Sequence, residues 1–493
     1  MALRWIPIMI LMLVWAFAAQ GQKVHKEPWL TITPIREHPQ KALAEREIPR
    51  DHRGDSSYLI LTGIHIAGNK KTKDAIILRE LRLTPGDTLY ADDLTAFLEE
   101  KRQTLLNTSL FLTVNIYPEQ PDAHRIQLNV EVFERQYFLA IPTLSLADRN
   151  FNVWWVDEHH KLDRLNYGLK VYENNLTGKN DRLSLTFQHG YTRQYMIDYE
   201  LPYFDKNLKQ GLGVFITYSH NREINFKSDF NKQVYFKQDY FLKQQFSFGF
   251  NYTYKKAIRL KHKLSLTYNM FKVKDTVLKL NPDFFPNTHL TQKYLELSYN
   301  FSYTGADVWA YPLRGFNVAA GLDRLGFGLL GDVNETELSA DLAKYWTFFP
   351  KTYGESEVLG RIHWPRNQPY FLSREMGYYE AYLRGMEYFV LESDYFGIMR
   401  NTLKREVLAF RVHTRLLPQQ FATIPVHIYL KAYNDLGYSF SHSPGTSQLN
   451  DKLLYTYGFG ADIVTFYDAL LRVEYSFNQL GQKGLFLHFK STF

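Results

Sequence analysis

Most of the chain alternates between apolar and polar residues with a period of two. In QFSFGFNYTY (245–254) every second residue is aromatic, and the residues between them are Ser, Gly, Asn and Thr. Alternation of this kind is typical of β-strands that have one face in an apolar environment and the other in a polar one. The sequence therefore predicts a mainly β structure over residues 136–493. The same pattern recurs in RLSLTFQHGY, HKLSLTYNMF, YLELSYNFSY and LLRVEYSF.

Residues 58–135 follow a different pattern. YLILTGIHIAG predicts a strand, and TKDAIILRELRL predicts a helix for which Thr72 is the candidate N-cap. ADDLTAFLEEKRQTLLNT places Leu94, Leu98 and Leu105 on one helical face, and LFLTVNIYPE and RIQLNVEVFER alternate as strands. The order strand, helix, helix, strand, strand predicts one small α/β domain.

The N-terminus carries the features of an export signal. Arg4 precedes the apolar segment WIPIMILMLVWAF, and small residues follow it. Because about 13 apolar residues are too few to span a bilayer as a helix, we expect a cleaved signal peptide over residues 1–21 rather than an anchor. Residues 22–57 are charged and contain four prolines, which predicts a linker or an irregular extension.

Composition favours a transmembrane barrel for the β region. Aromatic residues make up 16% of the chain, whereas the mean hydropathy is only −0.34. A β-sandwich also alternates, but many aromatic strands behind an export signal favour an antiparallel barrel with lipid outside and water inside. Length alone allows about 14, 16 or 18 strands. The final strand, GLFLHFKSTF, carries an apolar face typical of a barrel assembly signal, formed by Leu485, Leu487, Phe489 and Phe493.

No motif predicts catalysis. The chain has no cysteine, and neither G-x-S-x-G nor H-E-x-x-H occurs. His159 and His160 lie in a charged stretch that predicts a solvated loop, and GFGAD (458–462) predicts small lumen-facing residues rather than a phosphate loop. The net charge of +7 is spread along the chain, which does not suggest nucleic acid. We therefore expect no enzyme activity, no cofactor and no metal site.

Several motifs resemble those of a known family. IHIAGNKKTK, ILRELRLTPGDTL, LLNTSLFLTVNI and VEVFER resemble a POTRA domain, and VYENNLTGKNDRLSLTF with YELPYFD resembles the early barrel strands of BamA-type proteins. The chain thus resembles the BamA/TamA-like superfamily, in a short form with one POTRA domain. The resemblance implies sixteen strands, an outer-membrane barrel, a periplasmic POTRA domain, unfolded polypeptide clients and accessory lipoproteins as possible partners.

The same resemblance assigns a role to YLRGMEYF. Leu383, Arg384, Gly385 and Met386 resemble the V-R-G-F segment at the tip of the family's long inward-folded loop. In the family the arginine pairs with acids on lumen-facing strands. Asp435 in AYNDLGYSF matches one of them, and the nearest carboxylate on the preceding strand is Glu406. The alternative is that Arg384 is a solvated loop residue.

A similar Arg-Gly pair occurs in YPLRGF, where Arg314 and Gly315 precede the strand NVAAGLD. This context predicts an ordinary rim residue followed by the start of a strand. Only one of the two pairs is therefore expected to hold a loop inside the barrel.

The sequence is compatible with three functions. The resemblance implies that the protein assists the insertion or translocation of polypeptides at the outer membrane. The alternatives are a translocator dedicated to one secreted partner and a passive channel or structural barrel. Pro142 in YFLAIPTLSL cannot donate a hydrogen bond, so we expect weak pairing between this segment and the final strand if it is the first strand.

Overall fold

A computed structural model describes residues 30–34, 58–122, 124–148, 153–205, 207, 209–257, 259–308, 311–366, 368–378, 380–414, 423–465 and 469–490. The expected signal peptide (1–21) and the terminal Phe493 lie outside these ranges. The expected irregular extension contains one described strand, β1 (Leu30–Pro34).

Residues 58–134 form a small α/β domain. Its four-stranded sheet has the order β3–β2–β5–β4, in which only β2 and β5 are parallel. Two helices pack on the sheet and bury a core that includes Leu61, Ile77 and Leu105. The elements are β2 (Tyr58–Ala67), α1 (Asp74–Leu81), β3 (Thr88–Tyr90), α2 (Leu94–Leu106), β4 (Phe111–Asp122) and β5 (Arg125–Glu134).

The remaining strands build an antiparallel barrel of sixteen strands in the described part of the chain, which confirms the predicted fold class. The connections contain short strands, one short helix, the π-helical turn Val153–Asp157 and the 3₁₀ turns Leu162–Arg164 and Pro282–Phe284. In chain order the elements are β6 (Phe138–Leu146), β7 (Leu165–Asn174), β8 (Arg182–Gly190), β9 (Thr192–Leu201), β10 (Gln210–Asn221), β11 (Glu223–Asp229), β12 (Lys232–Lys237), β13 (Lys243–Ala257), β14 (Leu260–Val273), α3 (Asp275–Leu280), β15 (Thr291–Thr304), β16 (Gly315–Leu325), β17 (Glu335–Phe349), β18 (Thr352–Trp364), β19 (Arg374–Met376), β20 (Leu391–Glu392), β21 (Tyr395–Thr414), β22 (Thr423–Phe440), β23 (Leu454–Val464), β24 (Leu470–Asn478) and β25 (Lys483–Lys490).

The barrel wall has an apolar outer face and a polar inner face, as the alternation predicts. Outward side chains such as Phe250, Leu264 and Tyr299 are more than a third exposed. Their strand neighbours Asn251 and Ser298 are buried in the lumen. An exposed apolar band around a closed sheet is the arrangement that a lipid bilayer requires of a barrel.

The closing strand pair differs from the others. Fifteen neighbouring pairs are antiparallel ladders with a residue-by-residue register, for example β6 with β7 and β24 with β25. The sheet order places β25 beside β6. These two strands are hydrogen-bonded neighbours in that order, and their described residues, Phe138–Leu146 and Lys483–Lys490, are not among the strand pairs in extensive backbone contact. We call this closing pair the seam.

The α/β domain rests against one end of the barrel, which we call the proximal end. The backbone N–H of Lys73 donates to the carbonyl oxygen of Gly178 over 3.0 Å, and the ammonium of Lys71 lies 2.5 Å from the carboxylate of Glu173. Tyr203, from the turn after β9, is buried in the core of the domain. The domain is therefore fixed beneath the first barrel strands, next to the seam.

Thr72 helps to form this interface and does not cap α1 with its side chain. The N-cap residue is Lys73, and its side chain makes no capping hydrogen bond. The Thr72 hydroxyl instead donates to Glu134 over 2.6 Å and accepts from the amide of Asn175 over 2.9 Å. The prediction of Thr72 as the N-cap was wrong because a tertiary partner competes for the same hydroxyl.

We expect the interface to loosen in acid because of Glu134. Burial alone would raise the pKa of this carboxylate, but hydrogen bonds from Thr72 and Lys71 outweigh burial and lower the pKa below its ordinary value of 4.5. A lowered pKa in the folded state means that the contribution of Glu134 to stability is present above that ordinary value and is lost as the pH falls below it. Glu134→Gln should remove this dependence.

The measurement is the distance distribution between spin labels on α1 and on the barrel turn 175–181. In the wild type the distribution should broaden as the pH falls below about 4.5, the ordinary glutamate range. In Glu134→Gln it should not change with pH over that window. The exposed Glu131 on the same strand provides the control, because Glu131→Gln should behave like the wild type. An unchanged acid response in Glu134→Gln would contradict the assignment.

The hairpin formed by β21 and β22 projects beyond the barrel wall at the proximal end. The ladder between β18 and β21 ends where Thr352 pairs with Arg405, whereas β21 continues to Thr414. β1 pairs antiparallel with the exposed edge of this extension, with Leu30 opposite Thr414 and Pro34 opposite Phe410. The expectation of an irregular segment failed here because the strand depends on a distant edge that local sequence does not reveal.

Candidate functional site: a loop anchored in the barrel lumen

The connection between β18 and β21, residues 365–394, folds into the barrel from the distal end. Its apolar side chains form a core inside the lumen together with residues of the wall. A loop held this way combines packing with polar anchors and does not remain in solvent. The buried members of this lumen core are Met376, Ala381, Leu383, Met386, Phe389, Leu391, Phe396, Ile398, Leu449 and Leu454.

Leu383–Met386 forms a tight turn at the deepest part of the loop. The backbone N–H of Met386 donates to the carbonyl oxygen of Leu383 over 2.9 Å. Gly385 has a φ of +92°, and a Cβ on it would lie 2.6 Å from the Cβ of Ser476. Glycine is needed here for two reasons, since an L side chain would be strained by the backbone and would also clash with β24.

Arg384 is buried and holds the side chain of Asp435. Its Nε lies 2.9 Å from Oδ2 of Asp435, its Nη2 donates to Oδ1, and its backbone N–H also donates to Oδ2 over 2.9 Å. The Asp435 side chain has no solvent exposure, and Arg384 is 7% exposed. This two-point pairing fixes both the side chain and the backbone of the loop tip to β22.

The neighbouring strands complete the site around the guanidinium. Its Nη1 donates to the hydroxyl of Thr402 over 2.9 Å, and the ring of Tyr433 lies 4.1 Å from its carbon. Both residues belong to strands adjacent to the loop tip, β21 and β22. The cation is therefore surrounded by acceptors and an aromatic face, as a buried arginine requires.

The second acid near Arg384 is Glu474, on β24. Its Oε1 lies 4.0 Å from Nη1 of Arg384 and 2.7 Å from the ammonium of Lys431. Lys431 also lies 2.5 Å from Asp462. The pairing of Arg384 with Asp435, which we call the latch, is therefore part of a charge network that spans β22, β23 and β24.

Glu406 is not this second acid. Its carboxylate lies 2.9 Å from Nδ1 of His427. On β21 the residue opposite Asp435 is Arg400, and Glu406 lies six residues further toward the proximal end, roughly 20 Å away at the strand rise. The proposal of Glu406 as a latch partner is corrected for this reason.

Small residues on the wall make room for the loop. A Cβ on Gly437 would lie 2.9 Å from Cδ1 of Leu383, and a Cβ on Gly458 would lie 2.5 Å from the hydroxyl of Tyr433. Gly437 is two residues after Asp435, so both face the lumen. The D-x-G sequence thus provides an acid for Arg384 and a space for Leu383. The segment GFGAD (458–462) lies within strand β23. Met386 fills the lumen core where the family motif has an aromatic residue.

The other Arg-Gly pair is in a different environment. Arg314 is exposed, and its Nε lies 3.0 Å from the hydroxyl of Thr347. Gly315 begins β16 with a φ of +100°. The structure therefore separates the two pairs, with one at the centre of the lumen and the other on the proximal rim.

The residues proposed as an assembly signal lie on β25. Leu485 and Phe489 are exposed on the outer face at 52% and 63%, whereas the adjacent Phe486 is buried in the lumen. Leu487 shares the outer-facing register of Leu485, and Phe489 is opposite Leu471 on β24. Phe493 lies outside the described residues.

Comparison with known proteins identifies the architecture. Residues 60–135 match the family model for POTRA, described as a surface antigen variable number repeat. The chain is a POTRA-plus-β-barrel protein. No curated protein sequence matches it. Among the described residues, no helix is long and apolar enough to cross a membrane.

Solved structures share this fold. BamA from Haemophilus ducreyi lacking POTRA domains 1–3 aligns with a TM-score of 0.50 at 13% identity, covering 87% of this chain and 83% of that chain. CdiB from Escherichia coli aligns with a TM-score of 0.55 at 11% identity, covering 87% and 76%. The fold of this chain is therefore similar to that of both structures.

Proposed function

We propose that this protein resides in the bacterial outer membrane, with its POTRA domain in the periplasm, and assists the insertion or translocation of polypeptides. The apolar outer face of the barrel supports the location. The seam carries the functional part of the proposal, because it joins the first and last strands of the barrel and Pro142 in β6 has no N–H to donate.

The POTRA domain offers an edge for clients. β4 is twelve residues long and forms one edge of the four-stranded sheet, paired only with β5. An extended polypeptide can add to such an edge through main-chain hydrogen bonds. β1 gives an example within the chain, since a five-residue segment adds to the edge of β21 in the same way.

The position of the domain supports a path from this edge to the seam. The domain contacts the turn 175–181 between β7 and β8, and residue 138 begins the first barrel strand directly after it. Pro142 lies in that strand and has no N–H to donate. A client leaving the POTRA edge would thus meet the strand pair that closes the barrel.

A passive channel is less well supported. Leu383, Met386 and Phe389 are buried in a core inside the lumen, so the loop fills space that an open pore needs. A steady, large conductance of the purified protein would favour the channel and count against our proposal. A translocator dedicated to one partner shares the same architecture and differs in its clients.

Depletion of the protein followed by an outer-membrane proteome tests the proposal. We expect the loss of specific polypeptides from the outer membrane or the medium while unrelated membrane proteins remain. Loss of many barrels would indicate general assembly, and loss of one exported protein would indicate a dedicated translocator. An unchanged proteome would contradict a role in insertion or translocation.

A further inference from the structure

A second polar cluster lies at the distal end of the lumen, apart from the Arg384 latch. It consists of Glu335 and Glu337 at the start of β17, His363 at the end of β18 and Glu375 in β19 of the inward loop. One ligand atom from each of Glu335, Glu337 and His363 lies within 4.8 Å of the others. Glu335, His363 and Glu375 are each only 2% exposed.

The strands bring three of these residues together by simple geometry. Glu335 and Glu337 are two positions apart, so both face the lumen. His363 is directly opposite Glu337 in the ladder between β17 and β18. Glu375 reaches the cluster from the loop, where β19 pairs with β20. The fourth residue thus depends on the loop being folded inside the barrel.

The cluster contains more carboxyl groups than cationic side chains. Three carboxylates face one imidazole and Arg361, whose Nε lies 3.5 Å from Glu337. Asp323, opposite Glu337 on β16, adds another carboxylate. Carboxyl groups buried together in this number are costly to ionise unless a cation compensates them.

Two buried carboxylate oxygens in the cluster also lack a partner. Oε2 of Glu335 and Oε2 of Glu375 make no hydrogen bond although both are buried. Buried polar atoms in folded proteins are nearly always satisfied. These two atoms therefore point to a ligand that donates positive charge, independently of the number of acids.

The surroundings of His363 indicate that this ligand is a metal ion. Nδ1 of His363 is hydrogen-bonded to Oε1 of Glu335 at 2.5 Å, whereas Nε2 lies 2.9 Å from Oε1 of Glu375 without hydrogen-bond geometry. Histidines that bind metals usually place their second ring nitrogen against a carboxylate, which fixes the tautomer and the ring orientation. Here Glu375 would have that role once the ring turns toward it, and Nδ1 would exchange its hydrogen bond to Glu335 for a metal ion that both residues bind.

We propose that Glu335, Glu337 and His363 bind a divalent transition-metal ion of the zinc type, with Glu375 as the positioning residue for His363. One imidazole nitrogen and two carboxylates form a donor set suited to such ions. Metal–ligand distances of about 2.0–2.2 Å require the three ligand atoms to approach to roughly 3–3.5 Å, which small side-chain rotations achieve. This is contrary to the sequence-based expectation of no metal site.

The metal would have a structural effect on the loop. Because Glu375 belongs to the loop and the three ligands belong to the wall, occupancy ties the distal part of the loop to β17 and β18. Arg384 holds the tip of the same loop to β22. The loop would then be fixed at two separate points, one of which depends on metal supply.

Titration of the purified full-length protein with Zn²⁺ tests the site. After treatment with a chelator, the protein should bind one Zn²⁺ per chain in competition with a chromophoric chelator. His363→Gln and Glu335→Gln should each abolish this binding. Glu375→Gln should keep the stoichiometry and weaken the affinity roughly 10–100-fold, as expected for a residue that orients a ligand.

The chain provides a matched control in a second histidine–glutamate pair. His427 lies 2.9 Å from Glu406, and His427→Gln should leave Zn²⁺ binding unchanged. The folded state of each variant is checked by heat-dependent migration of the barrel in gels. Absence of stoichiometric Zn²⁺ binding in the wild type, or equal binding by folded His363→Gln, would overturn the proposal.

Discussion

Replacing Arg384 with alanine is expected to lower the free energy of unfolding of the barrel by about 3–5 kcal/mol, the range for breaking a buried ion pair. The reason is that Asp435, which has no exposure, would keep its charge and lose the guanidinium that neutralises it. Glu474 would lose a neighbouring cation as well. The loop tip would then leave its place on β22 while the wall remains assembled.

Arg314→Ala is the matched control. This arginine also precedes a glycine with positive φ, but it is exposed and makes one side-chain hydrogen bond to Thr347. Its replacement should change the free energy of unfolding by no more than about 0.5 kcal/mol, as for most surface substitutions. The measurement is the urea midpoint of the purified protein, together with protease sensitivity of residues 365–394. Equal effects of the two substitutions would refute the distinction between the pairs.

A double variant separates charge from packing. In Arg384→Ala the penalty comes mainly from the uncompensated Asp435, so Asp435→Asn added to it should recover part of the lost stability. Residues in direct contact are expected to be non-additive in this way. Strict additivity of the two changes would mean that the pair is not coupled as the geometry indicates.

Much of the fold could be predicted from the alternation of residues. Period two along most of the chain, together with the aromatic content, predicts a barrel because it specifies which face meets lipid. The mixed pattern of residues 58–135 predicts an α/β domain, and the family model matches residues 60–135. Both features are local in the sequence, so they can be recognised without knowing which strands pair.

The parts that sequence could not supply depend on contacts between distant residues. Glu474 was on the polar face of LLRVEYSF, but only the order of the barrel strands brings it within 4.0 Å of Arg384. Thr72 has a normal capping sequence, yet Glu134 takes its hydroxyl. β1 forms only because β21 extends beyond its neighbour.

At the latch, sequence motifs identified one partner of Arg384 and suggested a second one that is wrong. Asp435 could be proposed because D-x-G and R-G each have a recognisable local form, and the structure brings Asp435 and Arg384 together. Glu406 was chosen for its closeness along the sequence, and the register places it roughly 20 Å from the residue opposite Asp435. The register of β21 against β22 therefore decides which acid is near Arg384, which motif matching could not.

The seam is central to the proposed function and gives the second large effect. If clients pass or pair at the edge between β6 and β25, a covalent bond across that edge should abolish activity. Leu144 and Leu485 are the starting pair, because each is two residues from the distal end of its strand and is more than half exposed. The outward-facing positions of β6 next to Leu144 are also tested against Leu485, and the pair that forms the disulfide quantitatively is used. The natural chain has no cysteine, so an introduced pair forms only the intended disulfide.

The control for this variant shares one of its positions. Tyr475 is already opposite Leu485 in the ladder between β24 and β25. A Tyr475→Cys, Leu485→Cys pair therefore places a disulfide in the same part of the wall without closing the seam. Both pairs are expressed in depleted cells, and disulfide formation is followed by gel migration with and without reductant.

The most direct measurement is the recovery of the polypeptides that depletion removes from the outer membrane or the medium. Our account predicts no recovery with the oxidised Leu144→Cys, Leu485→Cys protein, and recovery after reduction. The Tyr475→Cys, Leu485→Cys protein should restore them in both states. Full recovery with the seam quantitatively locked would contradict the account.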